Sequence, residues 1–462
     1  MSTANPSGMQ LYQPANGEPL HFLSYTSQQT IEQTIHAAKD AWLTWSQSST
    51  PSRAKLLFAF RELMLKDKAH LAKLVSNEHG KTLAESNASI DRGIEVVELA
   101  CNMPYLMRGS YSHQVATDVA CYTLRQPLGV CVGITPFNFP VMIPLWQMIP
   151  AITCGNTFIL KPSPQAPSAP NRLLELLLDA GFPSKVVQIV HGEKAVVDQL
   201  ITHPEVCAVT AVASTPVAQS VYQTAIAHGK RAHCFGGAKN HAVVLPDCAM
   251  EQTANAITEA ALGCAGERCM ALSVAIVVGD KTAEQFIPLL KSKVSEFPVA
   301  PLVSKAHLER VARLVDEGVA DGAELVHDGR QQYNQALQGN YFGPCLFDKV
   351  TPAMSIYQQE IFGPVLSIVR VKTFEQAIRL INQNPYGNGT ALFTENGASA
   401  DQFVSQIQVG MVGINTPIPV PVAYHSFGGW KQSFFGDIGM HGDQSVQFYT
   451  RLKTVTRRWQ ND

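Results

Sequence analysis

The chain has 462 residues, 46% of them hydrophobic and 16% charged, a balance that suits a globular protein with ample core. Its 35 basic and 37 acidic residues are mixed along the chain and leave a formal charge of −2, which argues against nucleic acid or an anionic membrane as a main partner. The 10 cysteines show neither a CxxC pair nor a histidine at zinc-finger spacing, so the expectation is no metal site and reduced thiols in a cytoplasmic compartment.

The start, MSTANPSGMQ, lacks the basic and apolar regions of a secretory leader, and no apolar run matches a bilayer's thickness. SQQTIEQTIHAAKDAWLTW reads as a helix: Ser27 can cap it, and Ile31, Ile35, Ala38 and Trp42 recur at helical spacing. A second helical pattern runs from Arg53 to His79, with Leu57, Phe60 and Met64 on one stripe, and breaks at Gly80. SYSHQVATDVACYTL alternates like a strand. GVCVGI is a short buried strand, followed by an apolar helix from about Met142 to Thr153 and the strand TFILK, which together make a βαβ unit. The alternation continues through NRLLELLLDAG, VVQIV, AVVDQLITH, VCAVTAV and PVAQSVYQTAIAHG, and a second series runs from near Gly237 to GMVGIN. The tail, SVQFYTRLKTVTRRW, alternates like a strand.

The pattern predicts an α/β fold of two doubly wound parallel-sheet domains with a β arm. The expected division is a dinucleotide-binding domain over 1–110 and 129–236, a catalytic domain over 237–440, and bridging or oligomerisation strands over 111–128 and 441–462.

No GxGxxG follows a strand and no GxxxxGK[ST] occurs, so the standard phosphate-binding fingerprints are missing. A doubly wound sheet can still hold a dinucleotide at helix N-termini beyond its strand ends. Lys161 stands at one such end and can hydrogen-bond a ribose, while Ser214 at another can cap a helix facing a pyrophosphate. An ordinary exposed lysine and an ordinary N-cap are the plainer readings. In AGERC, Arg268 beside Cys269 favours a thiolate and Glu267 opposes it; a free cysteine is otherwise a small buried hydrophobe. In ITPFNFP, Asn138 sits in a loop between strand and helix, either as a turn residue or as a donor to an oxyanion.

Taken in order, ITPFNFP, GNTFILKPS, GAKN, GERC, EIFGPV and NPYGNGTALFT resemble the aldehyde dehydrogenase superfamily, from about Thr30 to Trp459. NEHGKTL, DRGIEVVE, GAKNH, ERCMALS and QFYTRLKTVT resemble one branch of it, the methylmalonate-semialdehyde dehydrogenase family. The resemblance implies an aldehyde dehydrogenase-like fold and an enzyme that oxidises a small carboxylated aldehyde through a thioester on Cys269. Asn138 is implied as the oxyanion donor, and Thr135, Phe137, Lys161, Ser214, Glu360 and Phe362 as residues that hold NAD. Arg92 and Arg268 are implied to hold the substrate carboxylate, coenzyme A to accept the acyl group with decarboxylation, and the tail strand to build a homodimer or homotetramer.

Hydrolytic relatives carry a water-activating glutamate where this chain has Phe235, which has no lone pair to act as a base. Four further departures stand out. Pro164 replaces a carboxylate near the adenosine ribose, which leaves NADP open, and Ala213 replaces a glycine. Glu267 replaces a glutamine and is expected to raise the thiol pKa or disturb the backbone. VSEFPVAPLVS, at 295–304, is about ten residues short, and the N-terminus is expected to lack an early hairpin. These departures keep two alternatives in view: an NAD(P)-dependent hydrolytic aldehyde dehydrogenase, and a catalytically impaired paralogue serving as a binding or structural partner.

Overall fold

Helix Thr50–His79 starts at Ser49, whose side chain accepts from the Ser52 N–H, and stops at Gly80, whose φ of +93° suits glycine. Helix Leu83–Cys101 follows at once, opened by a reciprocal Thr82–Glu85 capping box. The predicted stripe of Leu57, Phe60 and Met64 is fully buried and joins Ile90, Ile94 and Val97 of the second helix in one core. Both helices pack against helix Met142–Thr153, every residue of which is buried. The computed structural model describes residues 7–298, 300–330 and 338–459. Phe60→Ala is expected to destabilise this core by about 3–5 kcal/mol, read as a lower urea midpoint.

Six strands form the first sheet, in the spatial order Phe434–Phe435, Arg231–Phe235, Val206–Val212, Val130–Ile134, Thr157–Lys161 and Val187–Ile189. All are parallel except the Phe434–Phe435 edge, and Val132 lies between Val209 and Ile159. Their near-continuous apolar runs follow from burial on both faces. The chain first winds from Val130 outward to Val187, then returns to the opposite side at Val206. The switch point therefore lies between Val130–Ile134 and Val206–Val212, beyond whose ends sit the 135–138 loop and Ala213-Ser214.

The second sheet has seven strands, ordered Glu324–Asp328, Cys345–Asp348, Val365–Val371, Leu272–Val278, Asn240–Val244, Gly389–Phe393 and Met411–Ile414. Only its Glu324–Asp328 edge is antiparallel. Thr450–Arg458, Val119–Pro127 and Tyr111–Ala116 make a separate three-stranded antiparallel sheet.

Two sequence expectations are corrected. The tail is not strand throughout: Gly442–Tyr449 is a helix and only Thr450–Arg458 is extended. Ser445, Val446, Phe448 and Tyr449 are all buried, a pattern that fits one helical face as well as a short alternation. The early hairpin is present, as Gly8–Tyr12 paired with Pro19–Ser24. Its strands are short and mostly half-exposed, so they left no periodic signal; its turn closes by Gly17 N–H to the Gln13 carbonyl at 2.8 Å. In addition, Phe434–Phe435 returns to pair with Cys234 and Phe235, a crossing between sheets that the 237–440 division did not show. Among the described residues no helix is long and apolar enough to cross a membrane.

Candidate active site

Helix Met250–Leu262 ends in a tight loop in which Cys264 and Ala265 adopt left-handed φ of 53° and 54°. Gly266 continues it at +72°; a Cβ there would meet the Gly363 carbonyl oxygen at 2.2 Å, so the close approach of two backbones demands glycine. The loop delivers Cys269 just ahead of strand Leu272–Val278. The Cys269 carbonyl accepts from Asn240 Nδ2 at 2.9 Å and Asn388 Nδ2 at 3.0 Å, which pins the backbone that carries the thiol. Sequence reading gave neither asparagine a role, although both lie in the GAKN and NPYGN segments, where a polar side chain opens an apolar strand.

The half-buried Cys269 side chain lies where two cavities meet, each of about 280 Å³. Phe139, Met142, Trp146 and Phe427 give the first an apolar wall, into which Arg92 and Arg268 turn. Arg268 lies 3.5 Å from Glu85 Oε1, while Arg92 donates to Glu95 at 2.7 and 2.9 Å and to the Pro421 carbonyl. The arginine of DRGIEVVE is thus directed at the cavity as well as at its helix neighbour. The second cavity sits at the switch point of the first sheet and is lined by Phe137, Asn138, Ser214, Gly237, Glu360 and Phe362.

Asn138 is 2% exposed, and its Nδ2 donates to the Glu267 carbonyl at 3.0 Å. An amide nitrogen has two hydrogens, so this contact orients the group and leaves one donor unspent. Lys81, fully buried, donates to the Asn138 carbonyl at 2.5 Å and lies 4.2 Å from the Phe139 ring centre. Burial pushes the Cys269 thiol up to about 12 and the Glu360 carboxylate adds to the rise, against the backbone N–H groups of Cys269 and Met270 and, last, the charge of Lys81. The Glu267 carboxyl faces His79 and His307 at 3.6 and 3.5 Å.

Glu360 accepts from the Ala238 N–H at 2.9 Å, and a Cβ on Gly237 would sit 2.4 Å from its Oε2, so a larger residue there would push the carboxylate aside. Burial raises the Glu360 pKa against the Ala238 bond and the charges of Lys239 and Arg310. Arg310 donates to the carbonyls of Glu360 and Ile361, each at 2.7 Å, and His307 donates to that of Phe362 at 2.6 Å. Phe137 packs edge-on to Phe362, with ring centres 5.9 Å apart.

Ser214 stands at the N-cap of helix Thr215–Ala227, but its side chain makes no capping bond. Thr215 Oγ1 instead accepts from the Gly237 N–H at 2.8 Å. Lys161 is not an exposed lysine: it is 6% exposed, donates to the Gly192 carbonyl at 3.3 Å, and burial brings its pKa down to about 8. Thr135 is buried beside it, with its N–H on the Lys161 carbonyl and its Oγ1 without a partner. These two line neither cavity, and the other eight predicted site residues line one or both. Phe235 is 4% exposed and packs on Phe427 and Phe434 in the apolar cluster that Cys269 touches.

A thiol held between a switch-point cavity and an arginine-bearing one, on two doubly wound sheets, agrees with the family comparison. The aldehyde dehydrogenase family model matches residues 1–455, and the chain belongs to that family of oxidoreductases. Among its relatives, malonate-semialdehyde dehydrogenase of Pseudomonas aeruginosa is 45% identical over 470 residues, which cover 99% of this chain and 95% of that protein. The structure of methylmalonate-semialdehyde dehydrogenase (DddC) from Oceanimonas doudoroffii superposes with a TM-score of 0.98 at 44% identity, over 100% of this chain and 97% of that one. A Sinorhizobium meliloti chain provisionally named methylmalonate-semialdehyde dehydrogenase, complexed with NAD, also gives 0.98 at 44% identity, over 100% of this chain and 96% of that one.

Proposed function

We propose that the protein oxidises malonate or methylmalonate semialdehyde with NAD and transfers the acyl group to coenzyme A with loss of the carboxylate. The observation that carries this reading is the Cys269 side chain shared by two cavities, with Arg92 and Arg268 in one and no carboxylate at position 235. The 45% identical relative named for malonate semialdehyde supports the substrate class, and the neighbour complexed with NAD supports the cofactor.

The second cavity fits a dinucleotide on chemical grounds. It lies at the switch point, its Asn138 Oδ1 is buried without a partner, and Ser214 leaves its helix N-terminus open. Phe137, Glu360 and Phe362 would hold the nicotinamide end, and Ser214, Thr135 and Lys161 the phosphate and ribose side. Bound there, an oxidised nicotinamide supplies a hydride acceptor and a positive charge that favours thiolate.

Arg92 and Arg268 receive the substrate carboxylate, for which a guanidinium fork is well shaped. Cys269, as thiolate with its proton released to solvent, adds Sγ to the carbonyl carbon, and the oxyanion is received by the free Asn138 Nδ2 hydrogen and the Cys269 backbone N–H. Loss of hydride from that carbon restores the C=O bond and leaves a thioester on Cys269. With Phe235 where a water-activating acid would stand, the thiolate of coenzyme A attacks the thioester and frees Cys269. Before that transfer the C–C bond to the substrate carboxylate breaks in the thioester, carbon dioxide leaves, the bonding pair passes into the thioester enolate, and a proton from solvent completes the acyl chain.

We further propose the division into a dinucleotide-binding domain at 1–110 and 129–236 and a catalytic domain at 237–440. Homo-oligomerisation, as dimer or tetramer, is assigned to the free edge of strand Thr450–Arg458, and the ten free cysteines suit a reducing cytoplasm.

The test is nucleotide reduction by purified protein with either semialdehyde, NAD or NADP, and with or without coenzyme A. Turnover that depends on coenzyme A supports the proposal; equal turnover without it overturns acyl transfer in favour of hydrolysis, and none with either cofactor overturns the enzyme reading. Arg268→Ala is expected to lower kcat/KM for the carboxylated aldehyde by about 10–100-fold while leaving that for propanal within about threefold. Equal losses on the two aldehydes would remove Arg268 from carboxylate recognition.

A further inference from the structure

We propose that Glu267 works as a neutral carboxylic acid that holds Asn138 in its oxyanion-receiving position, a positioning role that rests on the reading of Cys269 and Asn138 given above. Glu267 lies two residues before Cys269 and is fully buried. Its main-chain carbonyl takes the Asn138 Nδ2 hydrogen at 3.0 Å, so any displacement of residue 267 is passed directly to the amide.

The side chain is enclosed by three elements. From the connection to helix Lys305–Ala320, the Val303 N–H donates to Oε1 at 3.2 Å. From that helix, His307 Nε2 lies 3.5 Å from Oε1, but its hydrogen is committed to the Phe362 carbonyl at 2.6 Å. From the end of helix Thr50–His79, His79 Nε2 faces Oε2 at 3.6 Å, and neither atom has a hydrogen-bond partner. The charged groups around this cluster are Lys81, which donates to the Asn138 carbonyl, Arg268, which turns to Glu85, and Arg310 beside His307.

An ionised carboxylate has about four lone-pair sites to satisfy, and among the described residues one backbone N–H is the sole hydrogen bond made to this one. A protonated acid is a better fit: Oε1 accepts from Val303, and a proton on Oε2 is presented to the bare Nε2 of His79. Burial acts in the same sense on both partners, raising Glu267 well above the carboxylate range and lowering His79 well below the imidazole range. Both directions favour the neutral pair. The sign of the pH effect follows: positioning is intact at low and neutral pH and is lost as pH rises through the raised Glu267 pKa, when an uncompensated charge forms behind Asn138.

A glutamine has the same shape and the same acceptor–donor pair but cannot ionise. The experiment compares kcat/KM of Glu267→Gln with that of the wild type from about pH 6 to about pH 10, as a ratio in which ionisation of Cys269 cancels. The expected ratio stays within about threefold of unity near pH 7 and climbs about tenfold at the alkaline end, while Glu267→Leu loses at least about tenfold throughout. An infrared difference spectrum, wild type minus Glu267→Gln at neutral pH, is expected to show the C=O stretch of a protonated carboxyl. A flat ratio, a carboxylate band instead, or a glutamine variant that fails to fold overturns the proposal. Should the wild type oxidise no aldehyde, the functional reading falls, and the infrared band still decides the state of Glu267.

Discussion

Cys269→Ala is expected to retain the folded structure and lose aldehyde-dependent nucleotide reduction by at least about 10⁴-fold in kcat/KM. The side chain is half-buried and its loop is held through the Cys269 carbonyl by Asn240 and Asn388, contacts that an alanine keeps. The loss should thus appear in chemistry and leave cofactor affinity, measured by fluorescence titration, nearly unchanged. Cys269→Ser is expected to be almost as inactive, because a hydroxyl is less acidic than a thiol and nothing at position 235 can deprotonate it. The thiol itself, pushed up to about 12 by burial and Glu360, is protonated at neutral pH in the free enzyme. Alkylation of the free enzyme by iodoacetamide should therefore accelerate about tenfold per pH unit across the alkaline range. Added oxidised cofactor should raise the rate at neutral pH. Activity surviving in the alanine variant would assign the chemistry to another group.

Much of this site was legible because its parts are contiguous short segments with local physical reasons. Cys269 and Asn138 stand in loops that join a helix to a strand or a strand to a helix, where side chains gather at sheet ends. The doubly wound character followed from apolar runs such as VCVGI and TFILK, which bury both faces. What was illegible depended on direction and distance. Periodicity could not tell that the buried Lys81 reaches the main-chain carbonyl of Asn138, because the two lie 57 residues apart in sequence. It could not show that Glu267 turns its carboxyl to His79 while lending its carbonyl to Asn138. Lys161, which read either as a ribose partner or as an ordinary exposed lysine, is buried with its ammonium on the Gly192 carbonyl, a contact between segments that periodicity does not show. The early hairpin and the tail helix were missed for a different reason: five or six half-exposed residues, or one buried helical turn, fit more than one period equally well.

Asn138→Ala is expected to lower kcat by about 10²–10³-fold, with a much smaller change in the KM for aldehyde, because the lost donor acts on an oxyanion that the bound aldehyde does not yet carry. The geometry explains why one amide can matter so much. Its orientation is set before substrate arrives by Nδ2 donating to the Glu267 carbonyl at 3.0 Å, while Lys81 holds the Asn138 main-chain carbonyl at 2.5 Å. Little reorganisation is then left for the reaction to supply, and in so dry a site each donor counts for more than it would in water. Asn138→Asp separates orientation from charge: it keeps the size and replaces the donor with an acceptor, and should be at least as inactive as alanine at neutral pH. A pre-steady-state burst of reduced cofactor offers the sharpest measurement, since its rate reports acylation of Cys269 apart from transfer to coenzyme A. Both variants should slow the burst in proportion to kcat. A burst left at the wild-type rate, with only the later turnover slowed, would move Asn138 from oxidation to acyl transfer and leave the Cys269 backbone N–H as the oxyanion's principal donor.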